Sequence, residues 1–207
     1  LNIGLKNIYA FIYSLGVATL AYPPIGVPFI DHHSVIFSVM ALYSLSLGIL
    51  LKKNLFWFLI PVFLVFSFFS KQIPSSYLLV LFIIIIFIYF FSTKNKNNKN
   101  LLYLFLGSLF SIFLIFNLFF INEIPIKNFL VQYILYPASL GAERVSALNI
   151  DFRNLFGQFK FIYFALMPLL FCTFILIKNN KKNFIQSKEL VVSLLFLASM
   201  GIFMYCQ

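Results

Sequence analysis

The chain has 207 residues, of which 62% are hydrophobic, 20% aromatic and only 10% charged, against about 25% charged in an ordinary soluble domain. A soluble fold of this size keeps too much surface wet to hide so much apolar area. Composition and a mean hydropathy of +1.01 exclude a soluble globular enzyme, a disordered tail and a secreted disulfide scaffold, and imply an all-α, polytopic transmembrane bundle.

Seven apolar blocks follow one another, at residues 8–22, 35–51, 55–69, 77–91, 101–121, 159–177 and 190–206. A span needs about 20 residues, so flanking Tyr, Ser and Asn are expected to lengthen the shorter blocks. The expectation is about seven spans in a single domain, residues 1–207. Tyr9, Tyr13, Tyr22, Trp57, Tyr77, Tyr103 and Tyr163 sit near block ends, where amphipathic rings favour the membrane interface. Residues 129–136, in the long connection after the fifth block, are apolar but too short to span. They read as an interfacial or re-entrant helix. Leu1 in place of Met, and the lack of a polar tail before Gln207, read as a fragment of a longer protein.

The net charge of +10 would suggest nucleic acid on a soluble protein. Here the Lys residues lie in short runs between apolar blocks, which is a topological pattern. One set of connections holds Lys6, Lys52, Lys53, Lys94, Lys96, Lys99, Lys178, Lys181, Lys182 and Lys188 with one acid, Glu189. The other holds Lys71, Lys127, Arg144, Arg153 and Lys160 with four acids, Asp31, Glu123, Glu143 and Asp151. The first set is therefore placed in the cytoplasm. Its loops are plain Lys/Asn sequence. The Pro-punctuated connections and both His residues fall on the other side, so work is expected on the extracytoplasmic face of a plasma membrane, the bacterial inner membrane.

Three clusters on that face carry candidate chemistry. Asp31-His32-His33-Ser34 opens the second block. Asp31 or Ser34 can cap the helix, or the carboxylate and imidazoles can hold a divalent cation or face a pyrophosphate. Adjacent His side chains project about 100° apart on a helix, so both reach one ion only from an irregular loop. Ser70-Lys71-Gln72 ends the third block; Lys71 either neutralises a lipid phosphate or snorkels from a helix end. Gln132-Tyr133-Ile134-Leu135-Tyr136-Pro137 leads to Glu143-Arg144, where Arg144 offers a fork for phosphate or a weak surface pair with its neighbour. Cys172 and Cys206 lie in apolar blocks and read as small hydrophobes. There is no GxGxxG, P-loop, HExxH or CxxC. No block carries an acid at mid-membrane, which weakens an ion-coupled transporter.

Asp-His-His-Ser at one span, Ser-Lys-Gln-Ile-Pro-Ser-Ser at the outer end of the next, and Gln-Tyr-Ile-Leu-Tyr-Pro-Ala-Ser-Leu-Gly-Ala-Glu-Arg two spans later together resemble GT-C-type integral membrane glycosyltransferases. The nearest likeness is to dolichyl-phosphate-mannose–protein mannosyltransferase-like (family 39-like) proteins, over residues 23–153. The resemblance implies transfer of a sugar from a polyprenyl-phosphate carrier to a glycan, lipid or protein acceptor on the extracytoplasmic face. It implies Asp31 with His32 or His33 as catalytic residues, and Lys71, Gln72, Gln132, Tyr136, Glu143 and Arg144 as substrate-binding ones. In members that use a divalent cation, Mg or Mn, it implies Asp31 and His33 as ligands. The first outer loop of the family, which carries the base, is not recognisable here, so this chain alone is expected to be inactive. The rival readings are an O-antigen polymerase or ligase, a transporter or flippase-like permease, and an organelle-encoded respiratory subunit suggested only by the AT-rich composition.

Overall fold

The computed structural model describes residues 30–92, 98–139, 160–179 and 187–205, together with Ile8 and Phe11. Among the described residues the chain is helical, without strands. The elements are α1 (Ile30–Leu51), α2 (Asn54–Ser70), α3 (Gln72–Ser92), α4 (Asn98–Ile121), α5 (Ile126–Phe129), α6 (Lys160–Asn179) and α7 (Lys188–Tyr205). α5 runs straight into a π-helical stretch, Leu130–Leu135, and residues 136–139 continue it as α-helix. Helix therefore forms where a short interfacial helix was expected. We call residues 126–139 the strap. The first apolar block, residues 8–22, lies almost wholly outside the described residues.

The other six blocks are each a helix, longer than its apolar run. The extra residues are mostly polar and sit mainly at the N-terminal ends: residues 30–34 and the stretch Gln72–Ser76 are helix, not loop. Pro74 does not prevent this, because it falls in the first turn, where no intrahelical N–H bond is lost. Two helices are long and apolar enough to cross a membrane, at His33–Leu51 and Lys99–Ile121; Asn54–Ser70, Ser75–Phe91 and Leu166–Lys178 are shorter apolar helices.

α2 is the hub. α1, α3 and α4 all pack on it, while α7 packs on α1, α3 and α6. The core lies between α1, α2, α3 and α7, around Leu42, Leu45, Trp57, Leu78, Phe82 and Leu195. Trp57 is fully buried. Its ring lies against Gly48 of α1, where an added Cβ would meet the indole at 3.1 Å, and 5.6 Å from the rings of Tyr89 and Phe90 of α3. Its Nε1 donor is buried without a partner among the described residues.

α4 meets α2 by another route. A Cβ at Gly107 would fall 2.2 Å from the Phe58 carbonyl oxygen and 2.8 Å from Cγ of Pro61. Only glycine allows the two backbones this close. Ser111, one turn on, is also buried, so the contact has the small-xxx-small pattern of close helix crossings. Elsewhere α4 is exposed: 11% of its spanning window is buried, against 50% for α1. It stands at the rim of the bundle and presents Phe105, Phe113, Phe116 and Phe120 outward.

Both helix ends that turn tightly use a non-glycine residue with positive φ. Lys52 (φ 54°) links α1 to α2, and Glu123 (φ 51°) ends α4. At Glu123 the Ile124 N–H reaches the Phe119 carbonyl at 2.9 Å and the Glu123 N–H reaches that of Phe120. This is the paired-bond helix stop that normally uses glycine, with Pro125 just beyond to prevent continuation.

Candidate functional site

Three helices converge on one backbone position, Lys71. It is the single extended residue between α2 and α3. Its N–H donates to the Ser67 carbonyl at 2.9 Å. Its carbonyl accepts from the Ser34 hydroxyl of α1 at 3.1 Å and from the Ser75 hydroxyl of α3 at 3.0 Å. Behind it, Ser67 donates its hydroxyl proton to the Ser34 carbonyl at 2.9 Å. Each hydroxyl has one proton, so the 2.7 Å contact between Ser38 and Ser67 must be donated by Ser38. Ser34, Ser38 and Ser67 are fully buried and Ser75 nearly so. Buried hydroxyls are costly unless satisfied, and here each one is, so the network holds three helix ends in one register.

The strap docks on the same turn. Gln72 Nε2 donates to the Tyr133 carbonyl, and Tyr133 Oη donates back to the Phe69 carbonyl at 3.1 Å. An aromatic stack reinforces the reciprocal pair. Phe69 lies 5.6 Å from Phe129 at 16°, and Phe129 lies 5.3 Å from Tyr133 at 22°. Each such ring pair is worth about 0.5–1.5 kcal/mol beyond its area. A π-helical turn within the strap is rare and frequently marks a functional site.

These contacts decide where the sequence candidates stand. Lys71 is exposed at its side chain and fixed at its backbone. The Gln72 amide donates one hydrogen bond to the strap. Gln132 and Tyr136 are exposed on the strap, beside the docked Tyr133. His33 is exposed one residue before Ser34, and so opens the same end of the bundle. The side chains of Asp31 and His32, and all of Glu143 and Arg144, lie outside the described residues. Ser34 does not cap α1: the helix begins at Ile30, and the Ser34 hydroxyl donates across to the Lys71 carbonyl.

The backbone is helical through Asp31, His32 and His33. The irregular loop that would bring both imidazoles to one ion is therefore not present. No group of three or more His, Cys, Asp or Glu gathers among the described residues. Asp31 and His33 alone would supply two protein ligands, where Mg keeps an octahedral shell filled largely by water and phosphate.

The opposite end of the bundle is built from charge. Lys188, at the start of α7, lies close enough to Lys52 to feel its field. Burial and then the Lys52 charge push the Lys188 pKa below the ordinary lysine value, with Glu189 partly opposing them. Lys52 and Lys188 thus share one end, and Ser34, Lys71, Gln72 and Tyr133 share the other.

The residues that sequence reading missed are the serines. Ser34 and Ser38 are spaced one helical turn apart, and Ser67 and Ser75 flank the Lys71 turn. Small hydroxyl residues on one face of an apolar helix are a known signal of helix contact, and that was the pattern to follow. Comparison with known proteins gives no match: no family model, no curated protein and no solved structure is similar to this chain.

Proposed function

We propose that this chain is the membrane-embedded part of a glycosyltransferase that moves a sugar from a polyprenyl-phosphate carrier to an acceptor on the extracytoplasmic side. In this reading the described helices other than the strap belong to a seven-span bundle, and the strap lies at the membrane interface. The exposed aromatic face of α4 supports a hydrocarbon surrounding, since a soluble monomer rarely exposes a patch of this kind. α2 is the shortest of the tightly packed helices. Its 17 residues rise about 26 Å, a little under the about 30 Å hydrocarbon core. Lys53, at one end, can snorkel across the difference.

The observation that carries the proposal is the convergence of Ser34, Ser67 and Ser75 on Lys71. A lysine that merely snorkels needs no such frame. A lysine that must meet a phosphate does, because electrostatic stabilisation of a leaving group depends on a cation already in place. The carrier arrives laterally with its phosphate at the membrane boundary, and Lys71 neutralises the charge that grows there as the sugar bond breaks. Asp31, His32 and His33 lie in the first turn of α1, just before Ser34, which brings them to the same end, as the acid–base group of the site.

The test is Asp31→Asn in the full-length protein, with membrane insertion and sugar transfer from a polyprenyl-phosphate donor both measured. Insertion unchanged with transfer abolished is the expected result. Wild-type transfer removes Asp31 from the site. Lys71→Gln should lower kcat/KM by about 10²–10³, the usual range for one lost electrostatic donor.

A further inference from the structure

We propose that the cavity enclosed by α2, α3, α4 and the strap is a binding site for one hydrocarbon chain of a membrane lipid. The inference rests on the membrane placement proposed above and not on the transfer reaction.

The cavity measures about 490 Å³, within the range of ligand pockets and not of packing defects. Its floor is α2, at Pro61, Leu64 and Phe68. Its sides are α3, at Leu79, and α4, at Ile112 and Ile115. Phe129 and Ile134 of the strap close one end. α3 and α4 both pack on α2 and do not pack extensively on each other, so the space between them faces the surroundings of the bundle.

Four serines also line it, Ser75, Ser76, Ser108 and Ser111, and they decide what fills it. Ser76 donates to the Gln72 carbonyl, Ser108 to that of Leu104, Ser111 to that of Gly107, and Ser75 to those of Lys71 and Gln72, all at 2.8–3.0 Å. Every hydroxyl proton is already used within its own helix. Water here would find few partners on the walls, which offer acceptor lone pairs only. An empty apolar volume of this size forfeits the dispersion contacts of its whole lining. In a bilayer the filler that meets both conditions is a hydrocarbon chain. Lys71 stands at the strap end, two residues after Phe69 and four before Ser75, so the chain that fits best carries an anionic headgroup.

The experiment uses the full chain in vesicles with two probes in turn: phosphatidylglycerol with a diazirine on its acyl chain, and a diazirine-bearing polyprenyl phosphate. Photolysis is followed by mapping of labelled peptides. Labelling by either probe at Leu79, Ile112 and Ile115, and its loss by about tenfold in Ser108→Phe, is the expected result; displacing the volume of about two methylenes suffices for that factor. Outward residues Phe105 and Phe113 report general lipid contact and should keep their labelling. Leu79→Trp fills the cavity from another helix and should act alike if Ser108→Phe fails to fold. Acyl-probe labelling alone identifies an ordinary bilayer lipid as the source, and competition by polyprenyl phosphate identifies the carrier. Cavity residues labelled no more than Phe105, with no response to either filling variant, would overturn the site alone. Extraction of the chain by alkaline carbonate would overturn the membrane placement and the site with it.

Discussion

The two ends of this bundle are joined by turns of two residues and of one, and they are built on different physics. At the Lys52 end, α1 passes to α2 through Lys52 and Lys53, with Lys52 held at positive φ and Lys188 close by under its repulsion. At the Lys71 end, α2 passes to α3 through a single residue, and buried serines from three helices bond to it or behind it. One end carries a positive φ as local strain and tolerates like charge, which solvent screens at the exposed Lys52. The other has spent buried polarity, which is expensive in an apolar bundle, to fix one lysine and dock one strap. The contrast teaches where geometry is under demand: at the Lys71 end.

The comparison breaks most severely at Ser67. Ser67→Val removes the hydroxyl that donates to Ser34 and accepts from Ser38, and leaves both partners buried. A loss of about 1–3 kcal/mol is expected, the cost of orphaning buried polar groups, read as a lower midpoint of unfolding in mild detergent. A change below a few tenths would mean that the network is incidental. Next in size is Tyr133→Phe, which deletes only the bond to Phe69. Amide exchange across residues 126–139 should quicken about fivefold, corresponding to about 1 kcal/mol, while exchange in α1 stays unchanged.

The Lys52 end should respond in the opposite direction. Lys52→Gly relieves a positive φ that costs a non-glycine residue about 1–2 kcal/mol, partly offset by the greater freedom of glycine when unfolded. A net gain of up to about 1 kcal/mol in unfolding free energy is expected. The smallest effect concerns Lys188. Its folded pKa lies below the ordinary 10.5, so the folded state binds fewer protons than the unfolded one in that window. Stability should therefore rise as pH climbs through the depressed value towards 10.5, and Lys188→Gln should flatten that slope. A wild-type curve already flat over this range would remove both the burial of Lys188 and its repulsion by Lys52 from the account.

Much of the helical content was legible in the chain itself. Six of the seven apolar blocks match described helices, because a long apolar run must satisfy its backbone internally and the helix does so without partners. The strap was legible too, as an apolar segment too short to span. Its π-helical turn was not, since no local signal distinguishes that winding. What the sequence left open at Lys71 was which distant side chains would bond its backbone.

Those partners were decided only by tertiary structure. Ser34 and Lys71 are 37 residues apart and Gln72 and Tyr133 are 61 apart, and a hydroxyl or amide in a sequence does not say which distant carbonyl it will meet. The same holds for Gly107, which reads as an ordinary helix weakness until Phe58 and Pro61 arrive against it. Period and polarity are local and survive in one dimension. Register between helices is set by which small side chains let two backbones touch and which buried hydroxyls find acceptors, and those conditions exist only once the chain has folded.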